Sequence, residues 1–107
     1  KKLIKYADIL KSLNYSVVTT ISGKDFVDRI SNNEKYDIIF IDDEMINVNA
    51  VQLISQVSIP KNTILIVMLE NNKESIKKHY LIDYPFNDYL LKNEYEKEFI
   101  RINEEYK

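Results

Sequence analysis

The sequence predicts an α/β fold, a parallel sheet with helices on both faces. Three observations carry this. Two unbroken runs, Ile38-Ile39-Phe40-Ile41 and Thr63 to Leu69, are bounded by polar residues. Short runs rich in β-branched and aromatic residues suit strands buried on both faces. Apolar stripes at helical spacing lie before, between and after them, and strict alternation with short links gives a parallel sheet. Finally, three acids, Asp42, Asp43 and Glu44, follow the first run at once. Ligands of such sheets bind outside the carboxyl ends of the strands, so any chemistry is expected to centre on Asp42.

The elements follow in order. Leu3, Tyr6, Ala7, Leu10 and Leu13 predict an amphipathic helix over residues 2–13, with Asn14 as a left-handed stop. Ser16 to Ile21 is rich in Val and Thr and is expected to be a strand. Ser22 with Asp25 resembles a capping box and opens a helix that buries Phe26, Val27 and Ile30. Asn32-Asn33 ends it, and the strand Asp37 to Asp42 follows. Ile46 to Asn49 is expected to be a loop. Ala50, Leu53, Ile54 and Val57 make a third helical stripe, which Pro60 stops. The second apolar run exits through Glu70-Asn71-Asn72. A short helix is expected over 73–81 around Ile76 and Tyr80. Tyr84-Pro85 breaks the chain, and Asp88 to Leu91 is the last strand. Asn93 with Glu96 resembles a cap for a final helix with the stripe Tyr95, Phe99, Ile102 and Tyr106.

Composition narrows the function. The 107 residues are the size of one domain, and 45% hydrophobic residues support a packed core. A formal net charge of −2 gives no electrostatic case for nucleic acid. The absence of cysteine excludes disulfides and thiolate metal sites, and the lone histidine, His79, excludes a His-rich cluster. His79 itself is expected on the surface. No run is long enough for a membrane span and the start lacks the apolar core of a signal peptide, so a cytoplasmic location without direct membrane contact is expected. The single glycine, Gly23, leaves no phosphate-cradling loop. Asn14, Asn33, Asn62 and Asn93 fall at element boundaries, where asparagine tolerates left-handed backbone.

Read this far, residues 1–107 resemble one receiver domain of two-component signalling, with the flavodoxin-like (CheY-like) three-layer α/β/α architecture. Tyr36 to Met45 is similar to the family's third strand, with the acceptor aspartate at Asp42 and the following methionine at Met45. Phe86 to Lys92 is similar to the fifth, with the switch aromatic at Tyr89 and the lysine at Lys92. The wording is closest to receivers of hybrid sensor histidine kinases. The chain begins inside the family's first helix, so the first strand and its pair of Mg²⁺-binding acids are missing from it. Glu70 stands where a Thr or Ser is usual. Ile46 and Asn93 replace two prolines.

The resemblance implies phosphoryl transfer from a phosphohistidine to Asp42, with Mg²⁺ and Lys92 neutralising the phosphoryl oxygens. It implies Asp42 and the Glu44 backbone carbonyl as Mg²⁺ ligands, with Asp43 a weaker candidate, and hence weak Mg²⁺ binding. Partners would be a histidine kinase or a phosphotransfer domain. Glu70 opposes this chemistry. A phosphoryl group carries roughly two negative charges, and at about 4 Å and a dielectric of about 20 each like charge costs about 4 kcal/mol. The expectation is a degenerate receiver that works by protein–protein contact and is not catalytic alone. The alternative is a competent receiver phosphorylated on Asp42. Without the resemblance, Asp42 to Glu44 also read as a solvated acidic strand end balanced by Lys92.

Overall fold

The computed structural model describes residues 2–45, 48–70, 74–84 and 86–106. Five helices occur among them: α1 (Lys2–Ser12), α2 (Gly23–Ser31), α3 (Ala50–Ile54), α4 (Glu74–Asp83) and α5 (Tyr95–Tyr106). The strands are β1 (Ile38–Asp42), β2 (Glu44–Met45), β3 (Val48–Asn49), β4 (Ile64–Leu69) and β5 (Asp88–Leu91), and a 3-10 turn, Lys92–Glu94, joins β5 to α5. Three of them form a parallel sheet in the order β1-β4-β5.

The two apolar runs are strands because both their faces have somewhere to go. Successive strand side chains point to opposite faces. On β4, Leu65, Val67 and Leu69 pack with Ile41, Leu53 and Phe86, while Ile66 and Met68 pack with Tyr6, Leu90 and Phe99. The first cluster lies under α3 and α4, and the second lies under α1 and α5. Three layers and two cores follow directly from one strand that is apolar at every position, as the expected α/β/α architecture requires.

Local signals place the helix ends. The Ser22 hydroxyl accepts the Asp25 N–H at 3.1 Å and starts α2. Asn49 and Gln52 form a reciprocal box, each bond 2.9 Å, that starts α3. Asn14 (φ 74°) and Asn33 (φ 66°) take the left-handed turns that a glycine-poor chain must give to asparagine. Asn93 is not a cap. It lies inside the 3-10 turn, one element before α5.

Two departures matter. Ser16 to Ile21 does not form the expected strand. Burial alternates along Tyr15, Ser16, Val17 and Val18 as it does in a strand, yet the segment joins no ladder. Neither does it pair directly with β1, which remains the outer strand of the sheet. The propensity is present, but a strand also needs a backbone partner. The expected loop at 46–49 carries β3, which pairs antiparallel with β2 through Glu44↔Asn49 and Met45↔Val48. Ile46, Asn47, Asn71, Asn72 and Pro85 lie outside the described residues.

Phe99 is fully buried against Tyr6 and Phe40, with ring centroids 5.7 and 5.1 Å away. Phe99→Ala is expected to cost about 3–5 kcal/mol. Ile100→Ala, on the exposed side of the same helix, should change stability by less than about 0.5 kcal/mol. Urea unfolding midpoints of the two variants check both values.

Candidate functional site

The strand register builds the site. Asp42 is opposite Met68, and Met68 and Leu69 are opposite Leu90 and Leu91. Three strands therefore end level, and the residues at or just beyond their ends meet. These are Asp42 on β1, Glu70 after β4 and Lys92 after β5.

The Lys92 ammonium donates to Asp42 Oδ1 at 2.8 Å and lies 3.4 Å from Glu70 Oε1. Its side chain is 8% exposed, against 37% for Asp42 and 54% for Glu70. Burial works against the charged lysine. The hydrogen bond and charge of Asp42, joined by the charge of Glu70, outweigh it and hold the ammonium above the usual lysine range. The cluster is thus one recessed cation gripped by two carboxylates from neighbouring strands.

Around it, the Tyr80 hydroxyl on α4 donates to Asp43 Oδ1. Glu44 lies in β2, its backbone paired with Asn49. The Tyr89 ring, half-buried, has Lys77 Nζ 4.8 Å from its centroid and the Arg101 guanidinium 5.3 Å away. Tyr6 on α1 is buried, and burial is the main cause that pushes its hydroxyl up. The charges of Lys92, Asp42 and Glu70 act on it too, which places α1 beside the cluster. His79 is exposed, its ring edge-on to Tyr80 and Tyr84 at 5.3 and 5.0 Å, as expected of a surface aromatic.

Sequence reasoning brought out Asp42, Glu70 and Lys92, and the structure brings them together. It missed two other connections. Tyr80 and Asp43 are 37 residues apart, and no local pattern links them. The second is a tie between α5 and β5. Arg101 reaches Asp88 Oδ2 (3.2 Å), Glu98 Oε2 (2.9 Å) and the Tyr89 carbonyl (2.7 Å). Glu98 Oε1 accepts the Leu91 N–H, and the Tyr106 hydroxyl donates to Asp88 Oδ2. Only the Glu98–Arg101 spacing was legible, as an i,i+3 pair on a helix.

A family model described as the response regulator receiver domain matches residues 3–103. The chain belongs to the response regulator receiver domains. The fold agrees with a solved structure whose title describes the yeast Spc42 trimeric coiled coil, amino acids 181–211, fused to another protein. The TM-score is 0.79 at 21% identity, covering 97% of this chain and 70% of that one. No curated protein matches the chain. Membership of the receiver family places the domain in two-component signal transduction. Among the described residues, no helix is long and apolar enough to cross a membrane.

Receiver domains commonly bind Mg²⁺. The donors of this receiver domain fit the ion poorly. The Asp42 carboxylate already faces an ammonium at 2.8 Å, and Asp43 accepts the Tyr80 hydroxyl. A hard dication needs several oxygens converging on one point. Among the described residues no group of three or more acidic, His or Cys side chains is placed to hold a metal ion.

The raised lysine makes a signed prediction. Its folded pKa lies above its unfolded value near about 10.4. The stabilisation is complete below that pH and is lost as pH rises through the folded value. Wild-type stability should therefore fall more steeply in alkali than that of Lys92→Met. Urea midpoints measured from pH 8 to 11.5 on both proteins check the difference.

Proposed function

We propose that residues 1–107 form one receiver domain with a degenerate phosphorylation site, part of a hybrid histidine kinase, acting by protein–protein contact in the cytoplasm. Its partner is a histidine kinase or a phosphotransfer domain. The family's first strand, with its acids, lies outside this chain. The domain is not catalytic alone.

The observation that carries this reading is Glu70 Oε1 at 3.4 Å from the Lys92 ammonium. In this role Lys92 would stabilise an incoming phosphoryl group, and it already faces two carboxylates. A dianion entering the cluster meets Glu70 as a like charge where a hydroxyl would donate a hydrogen bond. Tyr89, the switch aromatic in this reading, has two cations close to its ring, Lys77 and Arg101. That arrangement favours one ring position over exchange between two.

A second reading is favoured by the 2.8 Å contact between Lys92 and Asp42. It is a competent receiver that takes a phosphoryl group on Asp42 in the presence of Mg²⁺. Glu70, half exposed, would then turn outward to admit the group.

Intact mass after incubation with acetyl phosphate and Mg²⁺ separates the two. The wild type is expected to stay unmodified. Glu70→Thr removes the opposing charge and restores a hydroxyl, and should take up more phosphoryl group. Asp42→Asn removes the nucleophile and should take up none. A wild type that gains the adduct, and loses it in Asp42→Asn, overturns the degenerate reading. Mg²⁺ affinity is expected to be about millimolar or weaker, in the range of loosely built oxygen sites. Calorimetric titration that finds a tight site dependent on Asp42 counts against the same reading.

A further inference from the structure

β5 ends the sheet order β1-β4-β5, so among the described residues no strand lies on its outer edge. In a parallel strand a residue's N–H and C=O point to the same side, and the side alternates along the strand. On β4 the Ile64 N–H donates to the Asp37 carbonyl, and the Met68 carbonyl accepts the Asp43 N–H. Even residues of β4 therefore address the β1 side and odd residues address β5. With Ile66 opposite Asp88, the backbone groups of Asp88 and Leu90 face β4. Those of Tyr89 and Leu91 face outward. Outward groups of this kind are a template on which another chain can add a strand.

Each of them already has a partner within the chain. The Tyr89 N–H donates to Asp88 Oδ1 at 2.7 Å, and the Leu91 N–H donates to Glu98 Oε1 at 3.0 Å. The Tyr89 carbonyl accepts from Arg101 Nη2 at 2.7 Å. Leu91 is the N-cap of the 3-10 turn, and the carbonyl of a cap residue accepts the first bond of its turn. The signs fit the groups: carboxylates take the two donors and a guanidinium takes the acceptor. Arg101 then ties the two carboxylates together, Nη1 to Asp88 Oδ2 at 3.2 Å and Nε to Glu98 Oε2 at 2.9 Å. Asp88 and Glu98 are each 9% exposed, so water competes little for these bonds.

A strand arriving at this edge would break charge-assisted bonds and return neutral ones, which are roughly half as strong. It would also strip two mostly buried carboxylates of a donor each. We propose that Asp88, Glu98 and Arg101 form a clasp that closes the β5 edge to strand addition, and that without the clasp a second copy of this chain pairs through that edge. Every copy carries the same edge, and two of them meet antiparallel about a two-fold axis. The clasp leaves β5 to be read by its side chains alone. It holds or fails independently of whether Asp42 takes a phosphoryl group.

Amide hydrogen exchange and sedimentation test this on the 107-residue chain, over about a hundredfold range of protein concentration. In the wild type the Leu91 N–H should be protected, and equally so at every concentration. Glu98→Ala combined with Arg101→Ala frees the Leu91 N–H and the Tyr89 carbonyl and leaves the net charge unchanged. In dilute solution the double variant should speed Leu91 exchange by about tenfold beyond any change at the inward-facing Leu90 N–H, as loss of a bond to a charged group implies. A general loss of stability would speed both alike. At high concentration the double variant should sediment as a dimer, with Leu91 protected again. Where the double variant does not fold, Glu98→Ala alone carries the same readings, because it too frees the Leu91 N–H. A wild-type Leu91 N–H that exchanges as fast as an unstructured amide overturns the clasp. Wild-type protection that grows with concentration overturns it as well, since β5 would then already be paired with a copy. A folded, opened variant that stays monomeric at every concentration shows that the clasp is not what keeps copies apart, and it overturns the proposal.

Discussion

Burial of β4 on both faces is the constraint on which the rest of the structure depends. A strand with no polar face must lie between two helical layers and must have backbone partners on both edges. β1 and β5 supply the edges, α1 and α5 one cover, and α3 and α4 the other. Once those partners are in register, their ends are level. The meeting of Asp42, Glu70 and Lys92 is then a geometric by-product of sheet pairing, needing no interaction of its own to bring it about. The 2.8 Å contact between residues 50 apart in sequence depends on the ladder more than the ladder depends on it.

Much of this was legible in the residues. Ile38 to Ile41 and Ile64 to Leu69 declare themselves because double-sided burial leaves a continuous apolar run. Ser22 and Asp25 mark a helix start because the cap is local, and Asn14 and Asn33 mark left-handed turns for the same reason. Ser16 to Ile21 misled because strand propensity is a property of one segment, whereas a strand is a property of two. The β2–β3 pairing was missed because two-residue bridges carry too little sequence for any period to show. At the site, Asp42 was found from its place at a strand's carboxyl end and Lys92 through the family's pattern, but that Glu70 also reaches Lys92 is a fact of distance. Tyr80 on Asp43 and Arg101 on the Tyr89 carbonyl join elements whose approach only the folded chain defines.

The electrostatics of the cluster run against the usual cost of burying an ammonium. Desolvation alone would push Lys92 toward neutrality, yet its two acidic neighbours keep it charged. The two acids are the more exposed members, so water still solvates much of their charge. This arrangement keeps the cation recessed and leaves a negative outer surface.

The ties of Arg101 have a mechanical consequence. One guanidinium holds a carbonyl of β5, a carboxylate of β5 and a carboxylate of its own helix, and Tyr106, at the far end of α5, adds a further bond to the same Asp88. Displacing β5 therefore means breaking several charge-assisted bonds at once or dragging α5 along. The two elements behave as a single rigid plate. A push on the end of β5 is therefore passed on to α5 and not absorbed between the two.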